Sequence, residues 1–174
     1  MSTTEAQVIP TLKDFWLATY ERECRVTMNV LRAFPADQAE LRPAEKSKTA
    51  RELAWLFVME QGMVERALTT GFDWSGGRPT PPPPPDDFAA IVDAFDQAHR
   101  RVADVVRGLS DADLAGSVQF FVGPGKLGDV AKTQFMWFLL HDQIHHRGQF
   151  SIYLRIAGGK VPSIYGPTAD EPWT

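Results

Sequence analysis

Lys132–Gln149, KTQFMWFLLHDQIHHRGQ, is an apolar run of helical length that carries three of the chain's four histidines. His141 and His145 are four residues apart. In an α-helix that spacing puts two side chains on one face, about 5–6 Å apart, and lets two imidazoles share one metal ion. The competing reading is a polar helix end. Phe138, His141, His145, Gly148, Gln149, Ile152 and Ile156 extend the pair into one helical stripe, so the histidines are expected to continue a buried face. A bare Cα at Gly148 would let another helix or a ligand come close.

Outward from this stretch, the fourth long helix is expected over about 130–157, with Asp129 as N-cap and Gly158–Gly159 marking its end. The first helix is read over Thr11–Phe34, closed by Pro35, with Leu12, Trp16, Thr19, Val26 and Val30 on one side. The second follows Lys48–Thr49 and runs to about Thr70, its stripe being Leu53, Leu56, Phe57, Glu60, Met63, Val64 and Ala67. Gly71–Pro85 contains five consecutive prolines and reads as an extended spacer, long enough to cross a bundle. Phe88, Ile91, Phe95, Ala98, Val102, Val105 and Leu109 give a third helix with a clear 3.6-residue period. A short turn follows at Ser110–Leu114, then β-like residues at Ser117–Val122 without a convincing sheet. Four long amphipathic helices make an all-α four-helix bundle with a long crossover between helices two and three. A single domain is expected over residues 1–174, ending in a turn-rich tail at 158–174.

Composition is ordinary for a globular protein, with 44% apolar and 23% charged residues in 174. A net charge of −4 without a basic stripe argues against nucleic-acid binding. The opening MSTTEAQVIPTLKDF does not read as a secretory signal, and no run approaches a membrane span. The expected location is the cytoplasm, with no membrane partner. Cys24 is the only cysteine, which excludes an internal disulfide and leaves a packed helix residue as its first reading, ahead of a thiol nucleophile. Trp16, Trp55 and Trp137 read as core or interface aromatics.

A metal site needs a third ligand. Glu60 is the one acid on the apolar stripe of its helix, and such a carboxylate is costly unless paired, protonated or bound to a cation. It could instead pair with Arg66, Arg147 or a protonated histidine, and both readings stay open. Asp142 and Gln149 suit hydrogen bonds behind the ligands. His146, about 100° round the helix from His145, pairs by spacing with Asp142 and is read as flanking the site. His99, at the edge of the third helix's stripe, is a weaker third ligand.

HDQIHHRGQFSIYLRIAGGKVP, with the tail SIYGPTADE, resembles the last helix and C-terminus of the DinB-like (DNA-damage-inducible) superfamily, and RPAEKSKTARELAWLFVMEQ resembles the start of its second helix. The resemblance implies an up-down-down-up four-helix bundle, often dimeric. It also implies a divalent metal held by one histidine of helix two and the HxxxH pair of helix four. Relatives include thiol-dependent transferases and isomerases, such as mycothiol-dependent maleylpyruvate isomerase. This chain departs from the pattern at Leu56, which stands where the first histidine would be. Glu60, one turn on, is the residue expected to replace it.

The sequence therefore leads to a homodimeric bundle in which Glu60, His141 and His145 hold zinc or nickel, for hydrolysis or thiol transfer on a small molecule. The alternative is a non-catalytic bundle that keeps the histidines as a polar network and acts as a dimeric ligand-binding or structural protein.

Overall fold

Thr11 opens the first helix by accepting from the backbone of Asp14 while the Asp14 carboxylate accepts from Thr11, a reciprocal cap. The computed structural model describes residues 10–173, so the expectation of no secretory signal in MSTTEAQVI concerns residues outside those described. Helix α1 spans Leu12–Arg32 and α2 spans Ala50–Leu68, the latter opened by the same device at Thr49 and Glu52. Helix α3, Phe88–Gly108, starts at Asp87, whose side chain accepts from the Ala89 amide. A single helical turn, α4, covers Asp111–Leu114.

Strands β1 (Ser117–Gly123) and β2 (Lys126–Ala131) then form an antiparallel hairpin before α5, Lys132–Ile156. The chain turns at Gly125, whose φ of +64° suits a residue without Cβ. This corrects two expectations. GPGKLG does not end the β structure, because Lys126 resumes it. Asp129 is not a helix cap, because it is paired in β2 opposite Gln119, whose side chain donates to it.

Helices α1 and α2 each pack against both α3 and α5, giving a four-helix bundle. The stripes read for α2 and α3 face inward, with Phe57, Phe95 and Ile91 wholly buried. On α1 the match is partial: Trp16 and Val30 are buried, but Leu12 is 84% exposed. The stripe read for α5 faces the wrong way. Phe138, His141, His145, Gly148, Gln149, Ile152 and Ile156 are all exposed, and the buried face carries Phe135, Met136, Leu139, Leu140, Gln143, Arg147 and Phe150. Among the described residues, nothing beyond the helix's own backbone comes within 4 Å of where a Gly148 Cβ would stand, so no other described helix exploits it.

The proline-rich crossover is more than a spacer. Trp55 Nε1 donates to the Pro82 carbonyl at 2.9 Å, Arg51 pairs with Asp86 at 2.6 Å, and Trp74 Nε1 donates to the Gln119 carbonyl at 2.9 Å. These contacts fasten the segment to α2 and to the hairpin. It becomes a wall.

Candidate metal centre

The rotation of α5 about its axis is set by polar residues on its buried side. Arg147, 1% exposed, places Nη2 2.6 Å from Glu23 Oε2 and 2.5 Å from the Tyr165 hydroxyl, and Nη1 donates to the Glu23 carbonyl. Burial pushes the Glu23 carboxyl up, but hydrogen bonds from Tyr165, Arg147 and Arg22 outweigh it and hold the group below the ordinary range. One turn earlier, Gln143 donates to Thr27 Oγ1 at 3.0 Å and accepts from Gln61 at 2.8 Å, and Gln61 accepts from Tyr20. Turning the helix by one residue, about 100°, would strand every one of these buried groups.

With that rotation fixed, the residues just before Gln143 and Arg147 face α2. His146 Nδ1 lies 2.6 Å from Glu60 Oε1, and Asp142 Oδ1 is 4.0 Å from the same nitrogen. One ligand atom from each of Glu60, Asp142 and His146 can be chosen so that all lie within 4.8 Å of one another, the one such group among the described residues. Glu60 is 2% exposed, and its second oxygen, Oε2, is buried with no hydrogen-bond partner. Burial raises the Glu60 carboxyl to about 7, against the lowering effect of His146. The hydrogen bond to Glu60 raises His146 in turn, against its own partial burial.

His141 and His145 do not join Glu60. Both lie on the exposed face, His141 against Trp137 at 5.8 Å between ring centroids and His145 with Nε2 2.8 Å from the Gln149 amide nitrogen. Of the expected residues, the structure brings Glu60 together with Asp142, read as a hydrogen-bonding residue behind the ligands, and His146, read as flanking. Gln149 lies outside with His145. The signal was present: Asp142 and His146 have the same four-residue spacing, and a protonated histidine was one of the partners open to Glu60. What misled was taking the α5 stripe without Arg147 as the buried one.

Two other residues resolve as structural. Cys24 is buried, and burial pushes its thiol up to about 12, which removes it as a nucleophile near neutral pH. His99 pairs with Asp96 at 3.3 Å, and burial lowers its pKa.

Glu60, Asp142 and His146 border a groove of about 700 Å³, with Leu56, Met59 and Met63 of α2 beside them. The far wall is made by the crossover and the hairpin. Phe72 packs against Phe120 at 5.2 Å and against Phe135 at 5.8 Å, while Trp74 meets Phe121 at 4.8 Å. Two carboxyl groups and one imidazole, with the Glu60 Oε2 oxygen unsatisfied and buried, open on an apolar groove. That donor chemistry fits a divalent cation.

Comparison with known proteins agrees with this architecture. The model of the DinB superfamily matches residues 19–150. A Bacillus subtilis (strain 168) protein, named only as the uncharacterized protein YrdA, is 26% identical over 160 residues, 91% of this chain and 90% of its own. Among solved structures, a DinB-like protein from Bacillus cereus ATCC 10987 aligns with a TM-score of 0.71 at 22% identity, over 86% of this chain and 95% of that one. YjoA, a DinB-like protein from Bacillus subtilis, aligns with a TM-score of 0.68 at 15% identity, over 92% and 99%.

Proposed function

The chain belongs to the DinB superfamily, and from that premise we propose that Glu60, Asp142 and His146 hold a divalent metal ion serving a reaction on a small molecule in the adjoining groove. The observation that carries this reading is the orphaned Glu60 Oε2. A buried carboxylate oxygen without a donor is costly, and a cation removes the cost.

Two carboxylates and one imidazole are a harder set than three histidines, so manganese or ferrous iron joins zinc and nickel in range. Such an ion, with positions left open, supplies Lewis acidity and lowers the pKa of a bound water or thiol, the chemistry of hydrolysis and of thiol transfer. The chain's own part is narrower. Glu60 and His146 share a proton at 2.6 Å, which a cation held between them would displace. Leu56, Met59 and Met63 give the groove an apolar lining beside them.

The test is metal analysis of tag-free protein loaded with zinc or manganese and then dialysed. One ion per chain is expected, lost in Glu60→Ala and His146→Ala and kept in His141→Ala. Loss of even an outer partner of a ligand costs about 10–100-fold in affinity, so loss of a ligand should exceed that. Retention of metal by both inner variants would end the reading.

A homodimer is part of the same proposal. Phe138, Ile152 and Ile156 of α5 and Phe15 of α1 are each at least half exposed, a large apolar showing for one surface. A second copy would cover it. Phe138→Glu with Ile152→Glu should then halve the mass measured by light scattering, and an unchanged mass would reject this part.

A further inference from the structure

Carboxylates and arginines line different parts of the groove, with Lys48 on the side of the carboxylates, near His146. Glu60 and Asp142 sit at the inner end, while Arg66 of α2, Arg78 of the crossover and Arg101 of α3 line the outer part. Arg101 is already engaged, 3.4 Å from Glu65. Arg66 and Arg78 have no carboxylate partner among the described residues. The Arg78 guanidinium lies over the Phe121 ring, 5.9 Å from its centroid, and Phe121 in turn meets Trp74. A cation standing on an aromatic wall is held in place without being neutralised.

Between the two ends the lining is thioether and aromatic. A ligand complementary to this run needs an apolar body and one negative group. We infer that the groove binds a small molecule with an apolar or aromatic body and an anionic group, a carboxylate, sulfonate or phosphate, held by Arg66 and Arg78. Its other end then points to Glu60, Asp142 and His146. The placement of that reacting end rests on the metal reading above; the anion selectivity does not. With its charge at the outer arginines, the ligand presents an uncharged portion to the inner end.

The probes are 1-anilinonaphthalene-8-sulfonate and N-phenyl-1-naphthylamine, which share an aromatic body and differ in the sulfonate. Their affinities are read by fluorescence on the full chain. Arg66→Glu combined with Arg78→Glu should weaken the sulfonate by about tenfold or more, as expected for a lost charge-assisted contact. The amine should change by less than about twofold. Arg78→Met, which keeps the packing on Phe121, should show the same selective loss in smaller measure. Leu12→Glu, on α1 and outside the groove lining, should leave both probes unaffected. Equal response of the two probes to the arginine changes, no response, or loss of sulfonate binding through Leu12→Glu would each overturn the proposal. Zinc loading of the same variants separates the two readings. Zinc retained by the arginine variants with sulfonate affinity reduced supports both. An arginine-dependent sulfonate on a wild-type chain that takes up no metal leaves the anion site standing and removes the metal from it.

Discussion

Two histidine-bearing pairs with the same spacing lie side by side on α5 and have opposite fates. His141 and His145 face outward, among exposed apolar residues, while Asp142 and His146 face Glu60 across the bundle. Spacing alone cannot separate them. The difference is made by their neighbours: Gln143 and Arg147 are drawn into the core by Thr27, Gln61 and Glu23, and each carries the preceding residue to the α2 side. A polar network thus selects the face that apolar periodicity leaves undecided. The lesson is that on a helix apolar nearly all round, the buried arginine is the better guide to rotation.

The strongest way to break this comparison is to remove what fixes it. Arg147→Ala leaves Glu23, 1% exposed, with Arg22 and Tyr165 as its remaining partners, and should cost about 3 kcal/mol of stability, the lower end for a broken buried pair. Urea unfolding measures it, and a loss under about 1 kcal/mol would mean that the ion pair does not set the rotation of α5. The pair also carries a pH signature. Because the Glu23 carboxyl is held low, its contribution is fully present above the ordinary carboxylate pKa, about 4.3, and is lost as pH falls through the depressed value.

Glu60 behaves in the opposite sense. Its folded pKa of about 7 lies above the unfolded value of about 4.3, so the folded chain holds the extra proton between these limits. Stability of the metal-free protein therefore falls as pH rises from about 4.3 to 7. His146, raised by the same hydrogen bond, titrates with Glu60 as one coupled pair. Glu60→Gln keeps the shape and an acceptor for His146 but removes the carboxylate. In the presence of a chelator at pH 8 it should be more stable than the parent by about 3–4 kcal/mol, and equal to it near pH 4. Thermal melts across pH would show the two curves meeting at low pH. Parallel curves would contradict the buried, orphaned carboxylate.

The smallest effect belongs to the outer pair. His145→Ala loses a surface hydrogen bond to Gln149 and should shift stability by under about 0.5 kcal/mol with no effect on metal uptake. A change comparable to that of Arg147→Ala would place His145 in an interface or a site, and would undo the contrast drawn between the two faces.

Much of the bundle was legible because local chemistry and period agreed. Thr11 with Asp14 and Thr49 with Glu52 mark helix starts, and the α3 stripe from Phe88 to Val102 is buried as its spacing requires. The hairpin was only half legible: Ser117–Val122 is β-rich, but Lys126–Ala131 becomes a strand through pairing with it. At the centre, Glu60 could be read from one residue, since an acid on an apolar stripe asks for a partner whatever surrounds it. The identity of that partner could not, because it depends on how α5 is turned.

By itself, then, the sequence determined that four helices form, where most of them begin, and that Glu60 must be compensated. These follow from period, capping and the cost of a buried charge, all of which act within a turn or two of chain. The tertiary structure alone decided that Asp142 and His146, and not His141 and His145, meet Glu60, and that the proline-rich crossover becomes a groove wall with Arg78 on it. Both outcomes depend on contacts between residues distant in sequence, Arg147 with Glu23 and Trp74 with Gln119, and a period measured along one helix carries no information about them.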